Sequence, residues 1–157
     1  MPTGFEIRED DLRGAEITAL LREHLAFAEQ NSPPGSRHAL PLEGLRRPDV
    51  TFWSVWHGAA LAGCGALKQL DAQHGEVKSM RTARPFLRRG VGSLVLQHIV
   101  DTARRRGYRR LSLETGSQEV FAPARALYAR FGFVVCGPFA AYRLDPNSVF
   151  MARDLES

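Results

Sequence analysis

The chain has 157 residues, 44% of them hydrophobic and 24% charged, the size and make-up of one globular domain with a real core. No apolar run reaches membrane-spanning length, the polar start Met1-Pro2-Thr3-Gly4-Phe5-Glu6 lacks a signal-peptide pattern, and Cys64 and Cys136 make neither a disulfide framework nor a metal-type spacing, so the expected setting is the cytoplasm with no membrane partner. A formal net charge of +4 argues for an anionic ligand, but no aromatic-interleaved basic face accompanies it, so nucleic acid is not an expected partner.

Phe5 and Ile7 alternate with Glu6 and Arg8, which predicts a short strand. Ile17, Leu20, Leu21, His24, Leu25 and Ala28 recur at helical spacing until Gln30-Asn31-Ser32-Pro33-Pro34-Gly35-Ser36 stops them. Residues 42–47 predict a short helix before Pro48. Thr51 to Trp56, broken at Gly58, pairs with Leu61 to Leu67 as an antiparallel hairpin, and a third strand runs from Glu76 to Thr82. Trp53 and Trp56 are an odd number of positions apart, so on a regular strand they face opposite sides.

In the second half, Val91, Leu94, Val95, Ile99 and Ala103 form one stripe of a helix running to Arg106, with Gly107 placed to end it. Leu111 and Leu113 read as a strand. Phe121, Ala124, Leu127, Tyr128 and Phe131 follow at helical spacing up to Gly132, and Phe133–Val135 and Ser148–Ala152 read as two last strands. Without repeats or a linker, the order predicts a single domain over residues 1–157, a mixed α/β layer fold.

Arg88-Arg89-Gly90-Val91-Gly92-Ser93 joins a strand to a helix start, a pattern suited to phosphate. Amides in the first helical turn lack partners, the helix dipole adds positive character, and the glycines let an oxyanion approach the backbone. A dinucleotide fold is the weaker reading, because Gly90-Val91-Gly92-Ser93-Leu94-Val95 has no third glycine and no βαβ unit precedes it.

The strand Glu76-Val77-Lys78-Ser79-Met80-Arg81-Thr82, the Gly90-x-Gly92 turn and Pro123-Ala124-Arg125-Ala126-Leu127-Tyr128-x-x-Phe131-Gly132-Phe133 come in the order of the GCN5-related N-acetyltransferase (GNAT) superfamily, which the chain resembles. Thr51-Phe52-Trp53-Ser54, Lys78-Ser79-Met80-Arg81-Thr82, Leu111-Ser112-Leu113-Glu114-Thr115-Gly116-Ser117 and Asp145-Pro146-Asn147-Ser148 are similar to the YsnE-like bacterial acetyltransferases. The resemblance implies an α/β (α+β) GNAT fold, with a mixed sheet of six to seven strands, about four helices, and a splay between the fourth and fifth strands. Two positions depart from the superfamily pattern: Leu87 stands where Gln or Arg is usual, and Phe121 where many members have Asn.

By that resemblance the cofactor is acetyl-CoA, the reaction is acetyl transfer to a primary amine of a small molecule or peptide by direct attack, and no metal takes part. The pyrophosphate is expected on Arg88, Arg89, Gly90, Val91, Gly92 and Ser93, and the pantetheine arm beside Met80, Arg81 and Thr82. Glu76, fourteen positions before Gly90, is the candidate base, with Glu114 as rival. Tyr128 falls on the family's tyrosine position as candidate acid. His38, Glu114 and Ser117 are candidate acceptor contacts. Paired subunits are common in the superfamily, so the resemblance admits a homodimer. A competing reading is a catalytically silent acyl-CoA-binding regulatory module. The five histidines form no metal-binding spacing; His24 is expected to be a satisfied core residue, and Cys64 to pack rather than react.

Overall fold

The computed structural model describes residues 4–31 and 42–155. Its elements in chain order are β1 (Phe5–Glu9), α1 (Ala15–Asn31), α2 (Leu42–Leu45), β2 (Val50–His57), β3 (Ala60–Asp71), β4 (His74–Thr82), α3 (Val91–Arg105), β5 (Arg110–Gly116), α4 (Ala122–Arg130), β6 (Val134–Cys136) and β7 (Ser148–Asp154). Among the described residues the strands form one sheet in the order β1-β2-β3-β4-β5-β7-β6. Every neighbouring pair is antiparallel except β4 and β5, which run parallel.

The two hairpin strands β3 and β4 reach closer to their turn than the alternation predicts. β3 extends to Asp71 and β4 starts at His74, because a tight turn at 72–73 closes the hairpin, with the Asp71 carboxylate accepting from the Gln73 amide at 2.8 Å. The second-half helix predicted from Phe121 begins at Ala122 instead. Phe121 ends a separate 3₁₀ turn, Glu119–Phe121, and Pro123 in the first helical turn has no N–H to lose. Gly107 sits just beyond α3 at φ +80°, a conformation that costs glycine little.

Helices cover both faces of the sheet. On one side α3 buries Val91, Val95, Leu96, Ile99, Val100 and Ala103 in a core with Leu67, Val77, Leu111, Leu113 and Met151. On the other, Leu12, Ile17, Leu20, Leu21 and Leu45 close over Phe52, Cys64 and Ala66. Trp53 belongs to the α3 side, its ring 5.1 Å from His98, while Trp56 carries the Arg8 guanidinium at 5.2 Å. Among the described residues no helix is long and apolar enough to cross a membrane.

Two irregularities open a cleft in this layered body. β4 and β5 pair only over His74↔Arg110, Gly75↔Leu111 and Glu76↔Ser112; beyond that they run on to Thr82 and Gly116 without pairing. β4 also carries a bulge: Cys64 faces Arg81 and Ala66 faces Lys78, so Ser79 and Met80 stand opposite the single residue Gly65, with Ser79 at φ +56°. The bulge resets the alternation, so that Glu76, Lys78 and Arg81 lie towards α1 and Val77 and Met80 towards α3. A side chain at Gly65 would meet Val95 at 2.5 Å and Met80 Sδ at 2.8 Å, so glycine is required there.

Candidate active site

A cleft of about 820 Å³ runs through the gap between β4 and β5. At one end lie Arg84, Leu87, Arg88, Gly90, Val91, Gly92 and Ser93; along its length Met80, Arg81, Thr82, Ala124, Leu127 and Tyr128; and at the other end Glu76, Lys78, Glu114 and Tyr142.

The loop end is an anion cradle made by backbone. Gly90 caps α3 at φ +83°, and the first helical hydrogen bond is Leu94 N–H to the Gly90 carbonyl at 3.0 Å. The amides of Val91, Gly92 and Ser93 therefore have no partner within the helix and point along its axis. A Cβ on Gly92 would stand 3.1 Å from Leu127 Cδ2, which keeps α3 and α4 close. Arg88 (φ +63°) lines the cleft. Arg89 does not: its guanidinium lies over the rings of Phe86 at 5.2 Å and Phe5 at 5.7 Å, outside the cleft, so the pair read from sequence divides. Flat guanidinium on an aromatic face is the reason. Leu87, the off-pattern residue, is 54% exposed at the rim.

The opposite end is a buried network. Lys78 Nζ donates to Glu76 Oε2 at 3.0 Å, Tyr142 Oη donates to the same oxygen at 2.7 Å, and Lys78 Nζ reaches Tyr142 Oη at 3.0 Å. The Lys78 and Glu76 side chains are only 8% and 4% exposed. Burial, and then the Glu76 charge and its hydrogen bond, hold the Tyr142 phenol far above its ordinary pKa. Tyr142 also packs against Phe139 at 4.9 Å and Phe150 at 5.7 Å, which fixes the 137–147 loop over the strand ends.

Glu114 lies on β5 two residues past the last paired position, and its carboxyl is pushed up to about 7. Burial is the main cause; the Ser148 hydroxyl and the Lys78 charge oppose it, and the charges of Glu76 and Asp145 add to it. Tyr128 is buried in the cleft wall with its ring 6.0 Å from Phe133, and burial followed by the Glu114 charge raises its pKa strongly.

The structure thus brings Glu76, Met80, Arg81, Thr82, Arg88, Gly90, Val91, Gly92, Ser93, Glu114 and Tyr128 into one cleft. Ser117 is outside it, exposed, with its hydroxyl donating to the Pro146 carbonyl at 2.7 Å. This bond ties the end of β5 to the turn before β7. His38 lies outside the described residues. Among the described residues His24 is not the satisfied core residue expected: its Nδ1 is out of solvent and finds no partner among them, and burial, reinforced by the Arg81 charge, lowers its pKa to about 4. Cys64 is buried, its thiol donates to the Ser79 carbonyl at 3.3 Å, and burial pushes its pKa up to about 12, so it makes no ready nucleophile. Among the described residues no group of His, Cys, Asp and Glu side chains forms a metal site. Sequence reasoning found Lys78 only as a neighbour of Glu76, and Tyr142 only as one of several residues on segments expected to choose the acceptor. Strand alternation puts Glu76 and Lys78 on one face, but no local signal links Tyr142 to a residue so far back in the chain.

The parted β4–β5 pair and the α3 N-terminus make a cleft fit for an extended anionic ligand, and the comparisons say to which class of protein it belongs. Residues 15–133 match the acetyltransferase (GNAT) family, and the chain belongs to it. It is an acyltransferase by class. The uncharacterized N-acetyltransferase YsnE of Bacillus subtilis (strain 168) is 59% identical over 151 residues, covering 96% of this chain and 100% of that protein. The crystal structure of a Klebsiella pneumoniae protein is 27% identical with a TM-score of 0.78, covering 97% of this chain and 98% of that one. A GNAT family acetyltransferase from Elizabethkingia anophelis, solved with acetyl-CoA bound, shares the fold at a TM-score of 0.72 and 16% identity, over 98% of this chain and 99% of its own.

Proposed function

We propose that the protein transfers the acetyl group of acetyl-CoA to a primary amine of a small molecule or peptide, by direct attack with both substrates bound. The observation that carries this reading is the continuity of one cleft from the free amides at the start of α3 to the ionisable groups at the parted ends of β4 and β5. The residues present fit a nucleotide thioester. Val91, Gly92 and Ser93 offer unpaired N–H groups to a pyrophosphate, and Met80 to Thr82 offer an unpaired strand edge to an amide-bearing arm. The Elizabethkingia relative with acetyl-CoA in the same fold supports the choice. Acetyl-CoA supplies an activated carbonyl, and the reaction exchanges its C–S bond for a C–N bond to the amine.

The protein's part is to manage two protons. An alkylamine, with an ordinary pKa of about 10.4, must lose one before it can attack. Glu76 holds the position that the superfamily resemblance suggests for the base, but its Oε2 is already engaged by hydrogen bonds from Lys78 and Tyr142. Glu114 lies close enough to feel the Glu76 charge, and its carboxyl titrates at about 7. We assign the proton-accepting role to Glu114 and a positioning role to the Glu76–Lys78–Tyr142 network. Tyr128 supports the departing sulfur. Its raised pKa keeps the phenol protonated, and full transfer to a thiol with an ordinary pKa of about 8.5 is uphill, so it acts as a hydrogen-bond donor. A cytoplasmic setting suits the two unpaired cysteines.

Initial velocities with acetyl-CoA and a panel of primary amines test this function through thiol release. Intersecting double-reciprocal lines are expected for direct attack. Parallel lines would indicate an acetyl-enzyme intermediate, and cofactor binding without thiol release for any amine would return the regulatory-module reading.

A further inference from the structure

The acyl-transfer groups leave unused a second cluster on the cleft wall, between α1, the end of β4 and the turn before α4. Arg81 leaves β4 towards α1, its guanidinium over the Phe27 ring at 4.9 Å. Nη2 donates to Glu23 Oε1 at 2.9 Å, but Nε on the same edge of the fork is out of solvent and has no partner among the described residues. The Arg81 side chain is 18% exposed and that of Glu23 47% exposed, so Glu23 reaches in from the surface and occupies half of a two-donor edge. Phe27 stands edge-on to Phe121 at 5.5 Å, continuing the wall, and Val120 and Ala28 extend its apolar surface. A Cβ on Gly116 would lie 2.2 Å from the Phe121 ring, so this glycine is what lets Phe121 lie against the strand end. His24, beside Arg81 and neutral near pH 7, adds no competing charge.

A planar guanidinium edge with one donor met and one orphaned is suited to a carboxylate that can take both. A pair with a half-exposed partner such as Glu23 is weak and easily exchanged. Arg81 directly follows the bulge on β4, next to Met80, so an anion held there lies close to the strand edge assigned to the acyl arm. Resting on the amine-acetylation reading, we propose that Arg81 anchors the carboxylate of the acceptor, with Glu23 as its placeholder. The acceptor is then an amino acid, and the Phe27–Phe121 wall receives its aromatic or apolar side chain. Phe121, off-pattern for the family, is on this account an acceptor-specificity residue.

The test compares L-phenylalanine with L-phenylalaninamide, which share amine and ring but differ in the anionic group. Two readouts are taken: kcat/KM by thiol release, and calorimetric binding of L-phenylalanine and N-acetyl-L-phenylalanine in the presence of CoA. Arg81→Gln is expected to reduce the ratio of kcat/KM for the acid over the amide by about tenfold or more, through the KM of the acid. The same variant should lose binding of both carboxylate ligands, and Glu23→Gln should tighten them. Arg81→Lys keeps the charge without the fork and should fall between. A ratio unchanged in Arg81→Gln and Arg81→Lys, with melting temperatures showing both variants folded, overturns the proposal. So does wild-type binding that ignores the carboxylate. Arg81-dependent binding of both carboxylate ligands with no thiol release for any amine would sink the acetyl-transfer reading and leave the carboxylate anchor standing.

Discussion

Two carboxylates of the same kind sit at one end of the cleft with different neighbours, and the difference decides their chemistry. Glu76 faces an ammonium at 3.0 Å and a phenol at 2.7 Å; for Glu114 burial dominates, outweighing the Ser148 hydroxyl and the Lys78 charge. In the role proposed for it, Glu114 can accept a proton only when its carboxyl is ionised. The kcat/KM for the amine should therefore fall as pH drops through about 7, and this limb should vanish in Glu114→Gln. The same shift has a stability sign. A carboxyl raised in the folded state contributes stability below its unfolded value of about 4.5, and that contribution is lost as pH rises through about 7. Glu114→Gln should thus raise the melting temperature relative to wild type at pH 8 and change it less at pH 4; the reverse order would contradict the burial argument. On the role proposed for Tyr128, Tyr128→Phe removes one hydrogen bond to the leaving sulfur, and kcat should drop about tenfold to a hundredfold with the acetyl-CoA KM little changed, as steady-state kinetics would show.

At the scale of elements, the start of α3 was legible from sequence because its information is local. A strand end, two glycines and an apolar stripe fall within a few residues of one another, and the resulting amides depend on backbone alone. In this turn Gly90 sits at φ +83°, where a side chain is strained, and a Cβ on Gly92 would crowd Leu127 Cδ2 at 3.1 Å. Gly90→Val and Gly92→Val should each abolish CoA binding in calorimetry, whereas Leu87→Gln, at a rim position 54% exposed, should leave it within a few-fold. The fate of the arginines was not legible. Both look alike in sequence, and only the packing of Phe5 and Phe86 beside the loop turns Arg89 away from the cleft. The β4 bulge was equally hidden: period-two alternation run unbroken from Glu76 would send Arg81 to the α3 side with Val77, and one extra residue reverses it.

For the whole molecule, element order carried most of the fold, since strands and helices alternate with clear periodicity and the resemblance supplied the splay. What pattern could not supply are contacts between distant segments. Tyr142 donates to Glu76 across 66 positions, and Arg81 meets Glu23 across 58. Both depend on the sheet order that puts β7 and its preceding loop beside β5, and α1 over β4. The molecule then reads as two cores clamping a sheet that is deliberately incomplete at one pair of strands. On the proposed function, this gap hands an acetyl group to an amine. The most direct check is to supply [¹³C-acetyl]-CoA with an amine panel and follow the label by NMR. Label is expected in an amide product that grows with free thiol in equal amount, and that is lost in Gly90→Val. Free thiol appearing with labelled acetate alone, or label fixed on the protein without passing to any amine, would contradict it.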